Sequence, residues 1–225
     1  MLPERASQAP IMSETIELRV FHLLCAKLCH DLVSPVGAVG NGVELLRDMG
    51  PEDAEDILGL ISDSSTKAAD RLKFFRVAYG LAADSVRSDA EAKEITKGMM
   101  AGHGITLDWP LEAAMMLPIA EPCVKLLLNL LLLAAEALPR GGTLAVRLAD
   151  ADGRLRIDVE AAGVGAVLSE ETLAGLTDAA DVAAMTPRTV QGFFTARYAR
   201  ALGGALEVDQ GPDRVHIASV VASSG

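Results

Sequence analysis

A seam of apolar and small residues near the N-terminus constrains this chain more than any other feature. It runs through Leu18, Phe21, Cys25, Leu28, Leu32, Pro35, Val39, Gly42 and Leu46, at spacings alternating between three and four. That rhythm buries one stripe of a helix in a bundle. With Leu18 at heptad position a, His30 falls at position f, opposite the seam. The histidine is therefore expected on rigid scaffold, pointed at water, with Asp31 beside it. An outward imidazole next to a carboxylate suits a reagent better than a core residue.

The seam predicts one long helix, with Ser13 as N-cap and Glu14 and Glu17 favouring its positive end. Gly50-Pro51 is a strong stop signal. A second amphipathic run follows through Ile57, Ile61, Ser64, Ala68, Leu72, Phe75 and Tyr79. Two such helices joined by a short turn make an antiparallel hairpin, assigned here to residues 13–84. One hairpin cannot cover both of its apolar stripes. Two copies are expected to pair into a dimeric four-helix bundle.

The pattern changes over residues 90–225. Ala90 to Gly102 reads as a helix closed by glycines, and Ile105 to Trp109 as a strand. Pro122 to Leu138 reads as a strongly apolar helix. Thr143 to Leu148 and Leu155 to Ala161 read as strands joined at Asp152-Gly153. Thr189 to Leu202 reads as a helix, followed by a hairpin around Gly211-Pro212. Helices interleaved with an antiparallel-type sheet define an α+β fold.

Half of the 225 residues are hydrophobic, enough for a sizeable core. A net charge of −11 argues against nucleic-acid or anionic-lipid partners. Three cysteines without framework spacing read as free thiols in a reducing cytoplasm. The first dozen residues carry no secretory pattern, and the apolar run Leu126 to Leu138 is too short to cross a bilayer.

Around His30, Lys27 lies three residues before, Ser34 four after and Gly37 seven after, all on the same helical face. Lys27 offers positive charge to a phosphoryl group on the imidazole. Asp31 can accept from Nδ1–H, leaving Nε2 as the nucleophile. Pro35 displaces the carbonyl of Asp31, four residues earlier. Gly37, Gly40 and Gly42 each cost a helix about 1 kcal/mol relative to alanine, which suggests close backbone approach by another surface. A lone surface His-Asp pair is more often a solvated residue without a task. His22, Cys25, Cys29 and His30 do not converge as zinc ligands, because His30 is turned about 100° from Cys29. Cys25 and Cys29 read more simply as small core-facing residues.

Lys27 to Leu46 (KLCHDLVSPVGAVGNGVELL) resembles the phosphoacceptor box of histidine kinases. Together with Arg71 to Gly80 (RLKFFRVAYG), it resembles more closely the alphaproteobacterial histidine phosphotransferases of the ChpT family. The resemblance implies a dimeric hairpin bundle followed by a histidine-kinase-ATPase-like (Bergerat-type) α/β sandwich. Such domains hold Mg-ATP through Asn-x-x-x-Asn-Ala, Asp-x-Gly-x-Gly and a glycine-rich lid. Here Asn129 to Ala134 carries Leu133 in place of the second asparagine, and Ala161 replaces the aspartate before Gly163 and Gly165. Of the lid only Gly192 remains ahead of Gly203-Gly204. An apolar side chain cannot coordinate Mg²⁺. Asn129 reads as a hydrogen-bonded relic, and no cofactor is expected on this chain.

What the resemblance implies is relay between receiver domains, with Mg²⁺ in the partner receiver. His30 would be the phosphoacceptor and Asp31 its orienting partner, with Lys27 and Ser34 near the phosphoryl group. Val33, Val36, Gly37, Gly40, Asn41, Arg71, Phe74 and Arg76 would contact receivers, although Arg71 also suits a surface ion pair and Phe74 a core position. The implied partners are the receiver of a CckA-like hybrid kinase and CtrA-like and CpdR-like regulators. Two other classes remain open: an ATP-dependent histidine kinase, and a non-catalytic dimeric scaffold for receivers.

Overall fold

The structure is a computed structural model that describes residues 11–48, 53–80, 86, 88–110, 119–177 and 181–223. Helix α1 (Ile11–Asp48) and helix α2 (Ala54–Tyr79) form the hairpin. Helix α1 begins before Ser13, which therefore lies inside the helix rather than capping it. The Gly50-Pro51 stop signal and residues 81–85, where the hairpin was expected to end, fall outside the described residues. Pro35, Gly42, Ile57 and Ser64 are buried in the seam between the two helices. Gly42 is where the backbones close up, since a Cβ there would stand 2.6 Å from Ile61 Cγ1.

The remainder runs α3 (Asp89–Met100), β1 (Ile105–Asp108), α4 (Glu121–Glu136), β2 (Gly142–Ala151), β3 (Arg154–Ala162), α5 (Glu170–Gly175), α6 (Val190–Ala201), β4 (Glu207–Gly211) and β5 (Arg214–Ala222). The five strands lie in the order β1-β2-β3-β5-β4. All neighbouring strands are antiparallel except β1, which runs parallel to β2. The sheet is thus mixed, where an antiparallel one was expected. The chain reaches β2 from β1 through α4, a crossover that delivers parallel strands. Asp152 and Gly153 both take positive φ, 56° and 79°, as a two-residue hairpin turn requires.

Strand alternation gives the sheet one apolar and one charged face. Leu144, Val146, Leu155, Ile157, Val159, Ala161, Val215 and Ile217 point into the core. On the other face Arg156 pairs with Asp158 at 2.9 Å, and Arg214 with Glu160 at 3.1 Å and Asp209 at 2.9 Å. Helix α4 covers the apolar face. Its Leu126, Leu127, Leu128, Leu130, Leu131 and Leu133 are fully buried, because the helix lies between the sheet on one side and α2 and α6 on the other. A helix that is apolar all round can only sit inside. The result is the fold class expected, a helical hairpin followed by an α/β sandwich.

Two expectations for the hairpin are corrected. Phe74 is 0% exposed and belongs to the core, so its side chain is not presented to a receiver. The reason is that α2 is covered on two sides, by α1 and by the sandwich, and Phe74, Val77 and Ala78 fill the second contact. Leu72 of the amphipathic run is 54% exposed in the single chain. Cys29, expected to face the core, is exposed, whereas Cys25 is half-buried. Leu18–Asp48 is also long and apolar enough to cross a membrane by length and composition alone, a property that the run at 126–138 lacks.

Candidate functional site

The site grows out of a break in the hydrogen bonding of α1. Pro35 has no N–H, so the carbonyl oxygen of Asp31 loses its helical donor. Arg71 of α2 fills that gap, its guanidinium donating to the Asp31 carbonyl. Arg71 Nη2 also lies 3.4 Å from Nε2 of His103, in the turn after α3. The break in the backbone bonding of α1 is thereby closed beside His30.

The His30 side chain is 89% exposed, as its heptad position predicts. Its Nδ1 lies 3.3 Å from Asp31 Oδ1. In the tautomer that donates Nδ1–H to this oxygen, Nε2 offers its lone pair to solvent. Asp31 is mostly covered, and its other carboxylate oxygen lies 3.8 Å from Lys27 Nζ. Lys27 in turn pairs at 3.1 Å with Glu136, the last residue of α4. Burial raises the Glu136 carboxyl, Lys27 pulls it back down, and Asp31 adds a further push upward. Lys27, Asp31, Arg71, His103 and Glu136 line one cleft of about 310 Å³ between hairpin and sandwich, floored by Met99, Met100 and Leu132.

Other residues singled out in the sequence spread along the hairpin surface. Ser34 is exposed one turn beyond His30, followed by Val33, Val36, Gly37, Gly40 and Asn41, all exposed. Arg76 is exposed on α2, and Arg71 is half-buried beneath Asp31. Among the described residues, nothing beyond the adjoining backbone of α1 stands within 4 Å of where a Cβ of Gly37 or Gly40 would be. Glu136 and His103 were not anticipated. Glu136 had one available signal, a charge in the apolar run Leu126 to Leu138; His103 had none. Among the described residues, no group of three His, Cys, Asp or Glu is arranged to hold a metal ion.

A second polar cluster joins hairpin to sandwich. The Tyr79 hydroxyl donates to Gln191 Oε1. Gln191 Nε2 donates to Asn129 Oδ1 at 2.9 Å. Asn129 Nδ2 donates to the Ala78 carbonyl at 3.1 Å and the Lys125 carbonyl at 2.8 Å. Both donor hydrogens and the acceptor of Asn129 are thus engaged inside the protein. Leu133 and Ala161, at the positions where nucleotide-binding domains carry polar residues, are fully buried.

A sequence model of the family described as "Histidine phosphotransferase C-terminal domain" matches residues 89–214. The chain is 35% identical over 188 residues to the protein phosphotransferase ChpT of Brucella abortus (strain 2308), covering 83% of this chain and 88% of that protein. This chain belongs to the ChpT-type histidine phosphotransferases. A solved bacterial phosphotransferase superposes with a TM-score of 0.78 and 30% identity, covering 97% of this chain and all of the other. The family's activity is phosphotransfer, and His30 with its exposed imidazole has the chemistry that such transfer needs.

Proposed function

We propose that this chain relays a phosphoryl group from the receiver aspartate of a hybrid sensor kinase, through His30, to response-regulator receivers. The observation that carries this reading is the geometry at His30: an exposed imidazole, Nδ1 against Asp31 at 3.3 Å, and Nε2 open to a docking partner. In the forward step the Nε2 lone pair forms the N–P bond as the P–O bond to the donor aspartate breaks. The donor carboxylate leaves with the bonding pair. Asp31 Oδ1 holds the ring in orientation and balances the positive charge it gains. The second step reverses these roles towards the acceptor receiver.

Catalysis on this chain's side is positioning. The Mg²⁺ belongs in the partner receiver's acidic pocket. With Asn129 engaged internally, and Leu133 and Ala161 in the core, ATP is not used. Val33, Val36, Gly37, Gly40, Asn41 and Arg76 form the exposed face that a receiver meets on reaching His30. Ser34 stands beside the phosphoryl position. A CckA-like donor and CtrA-like and CpdR-like acceptors are the partners that the family resemblance suggests.

The working unit is a cytoplasmic homodimer. Exposed Val43, Leu58 and Leu72 are more apolar surface than a solitary hairpin keeps wet, and we assign it to a second copy forming a four-helix bundle. The same pairing accounts for the apolar length of α1 without a membrane. Residues 13–84 serve as the dimerisation and transfer unit, and residues 90–225 as the degenerate nucleotide-binding unit.

The test is transfer from a phosphorylated hybrid-kinase receiver to wild type and His30→Ala. Acid-labile, base-stable label on the wild type alone is the expected result. Equal labelling of both proteins, or of neither when both are folded, defeats the proposal.

A further inference from the structure

Glu136 sits where a carboxylate is disfavoured three times over. It is the last residue of α4, at the negative end of the helix dipole. It is largely buried, and it lies close enough to Asp31 to be raised by that charge. Its ion-pair partner is Lys27, at 3.1 Å. Lys27 stands between two carboxylates, nearer to Glu136 than to Asp31 at 3.8 Å. Beyond Asp31 is His30. A line of ion pairs therefore runs from the sandwich to Asp31, the carboxylate against the acceptor imidazole: Glu136, Lys27, Asp31.

We propose that Glu136 is a positioning residue for phosphotransfer, holding the Lys27 ammonium back so that Asp31 stays available to orient His30. Lys27 and Asp31 are one helical turn apart, a spacing at which they pair readily without help. Released from Glu136, the ammonium closes on Asp31 Oδ2 and turns the carboxylate, drawing Oδ1 away from Nδ1–H of His30. The imidazole then turns freely and presents Nε2 less often. Arg71 and His103 face the same cleft, but Arg71 is committed to the Asp31 carbonyl and the His103 ring. Neither holds Lys27. On this view the degenerate sandwich retains a part in the chemistry, exerted through one carboxylate 106 residues from the histidine in sequence.

The inference rests on His30 being the acceptor. The experiment follows transfer from a phosphorylated receiver to the full-length chain, separating kcat from KM, in wild type, Glu136→Gln, Lys27→Met, the double variant and His30→Ala. Glu136→Gln should lower kcat roughly ten-fold, the scale of a misaligned nucleophile, with KM for the receiver unchanged. In the Lys27→Met background the same substitution should change nothing, because the competitor is already gone. Wild-type kcat in Glu136→Gln, an effect on KM alone, or the same loss with and without Lys27 overturns it. Label persisting in His30→Ala overturns the acceptor assignment itself, and is read separately from these. Thermal melting of Glu136→Gln and Lys27→Met checks that both stay folded. If Glu136→Gln unfolds, Glu136→Asp takes its place, and a kcat no lower than wild type in that shortened variant overturns the proposal equally.

Discussion

The guanidinium of Arg71 donates to the backbone carbonyl of Asp31, the acceptor that Pro35 leaves without its helical partner. A residue of α2 thus completes the backbone of α1 one residue from His30. Removing Arg71 orphans a half-buried carbonyl, at a cost of about 1–3 kcal/mol. In a Pro35→Ala background the helix supplies the donor itself. We therefore expect Arg71→Ala to lower the urea midpoint clearly in the native sequence and much less with Pro35→Ala. Equal losses in the two backgrounds would falsify the compensation.

Tyr79 ties the hairpin to the sandwich through Gln191. Burial, with help from Glu136 and Asp31, holds its hydroxyl above its ordinary ionisation near pH 10. The unfolded chain loses this proton first, so stability falls as pH rises past about 10, by about 1.4 kcal/mol per unit. Below that range the group adds no pH dependence. Tyr79→Phe should be less stable at neutral pH and should show a flatter alkaline limb. Urea unfolding at a series of pH values from neutral to strongly alkaline measures both.

The glycines of α1 separate by neighbour. A methyl group on Gly42 collides with Ile61, so Gly42→Ala should destabilise by about 1–3 kcal/mol, unless Ile61 yields. Gly37→Ala meets nothing and should stabilise the helix by up to about 1 kcal/mol. If a receiver lies on this face, that gain comes with slower transfer. Melting temperatures paired with transfer rates separate the two; a Gly37→Ala variant with faster transfer contradicts receiver contact there.

Leu58 and Leu72 are exposed apolar residues on the hairpin surface. Leu58→Asp and Leu72→Asp should shift the mass seen by light scattering from two chains to one at micromolar concentration. Wild type already at the mass of one chain would remove the bundle from the proposal.

Nucleotide should not bind. Asn129 has no free hydrogen-bonding group, and Leu133 and Ala161 offer none. Calorimetric titration with millimolar Mg-ATP is expected to show dilution heats only.

Local rules made much of this readable in advance. The outward placement of His30, the Asp152-Gly153 turn and the buried α4 follow from periodicity and turn chemistry, which act over a few residues. Phe74 was misplaced because a stripe of period 3.6 describes a helix with one covered face, and α2 has two. Helix α5 was missed because six residues are too few to show a period. The Lys27–Glu136 pair joins helices far apart in sequence, and only the docked sandwich brings them together. Arg71 was noticed, but its target was a carbonyl, which no residue pattern displays.

Arg19 of α1 donates to the carbonyls of Val182, Ala183 and Met185, clipping the segment before α6 against the hairpin. An enzyme that phosphorylates its own histidine must swing its nucleotide-bearing half towards that residue and away again. A clip of three hydrogen bonds works against such a swing. The proposed relay has no need of one: its load arrives and departs by the same open door. With no fuel of its own, it imposes no direction, and the sense of flow is set by which partner holds more phosphate at that moment.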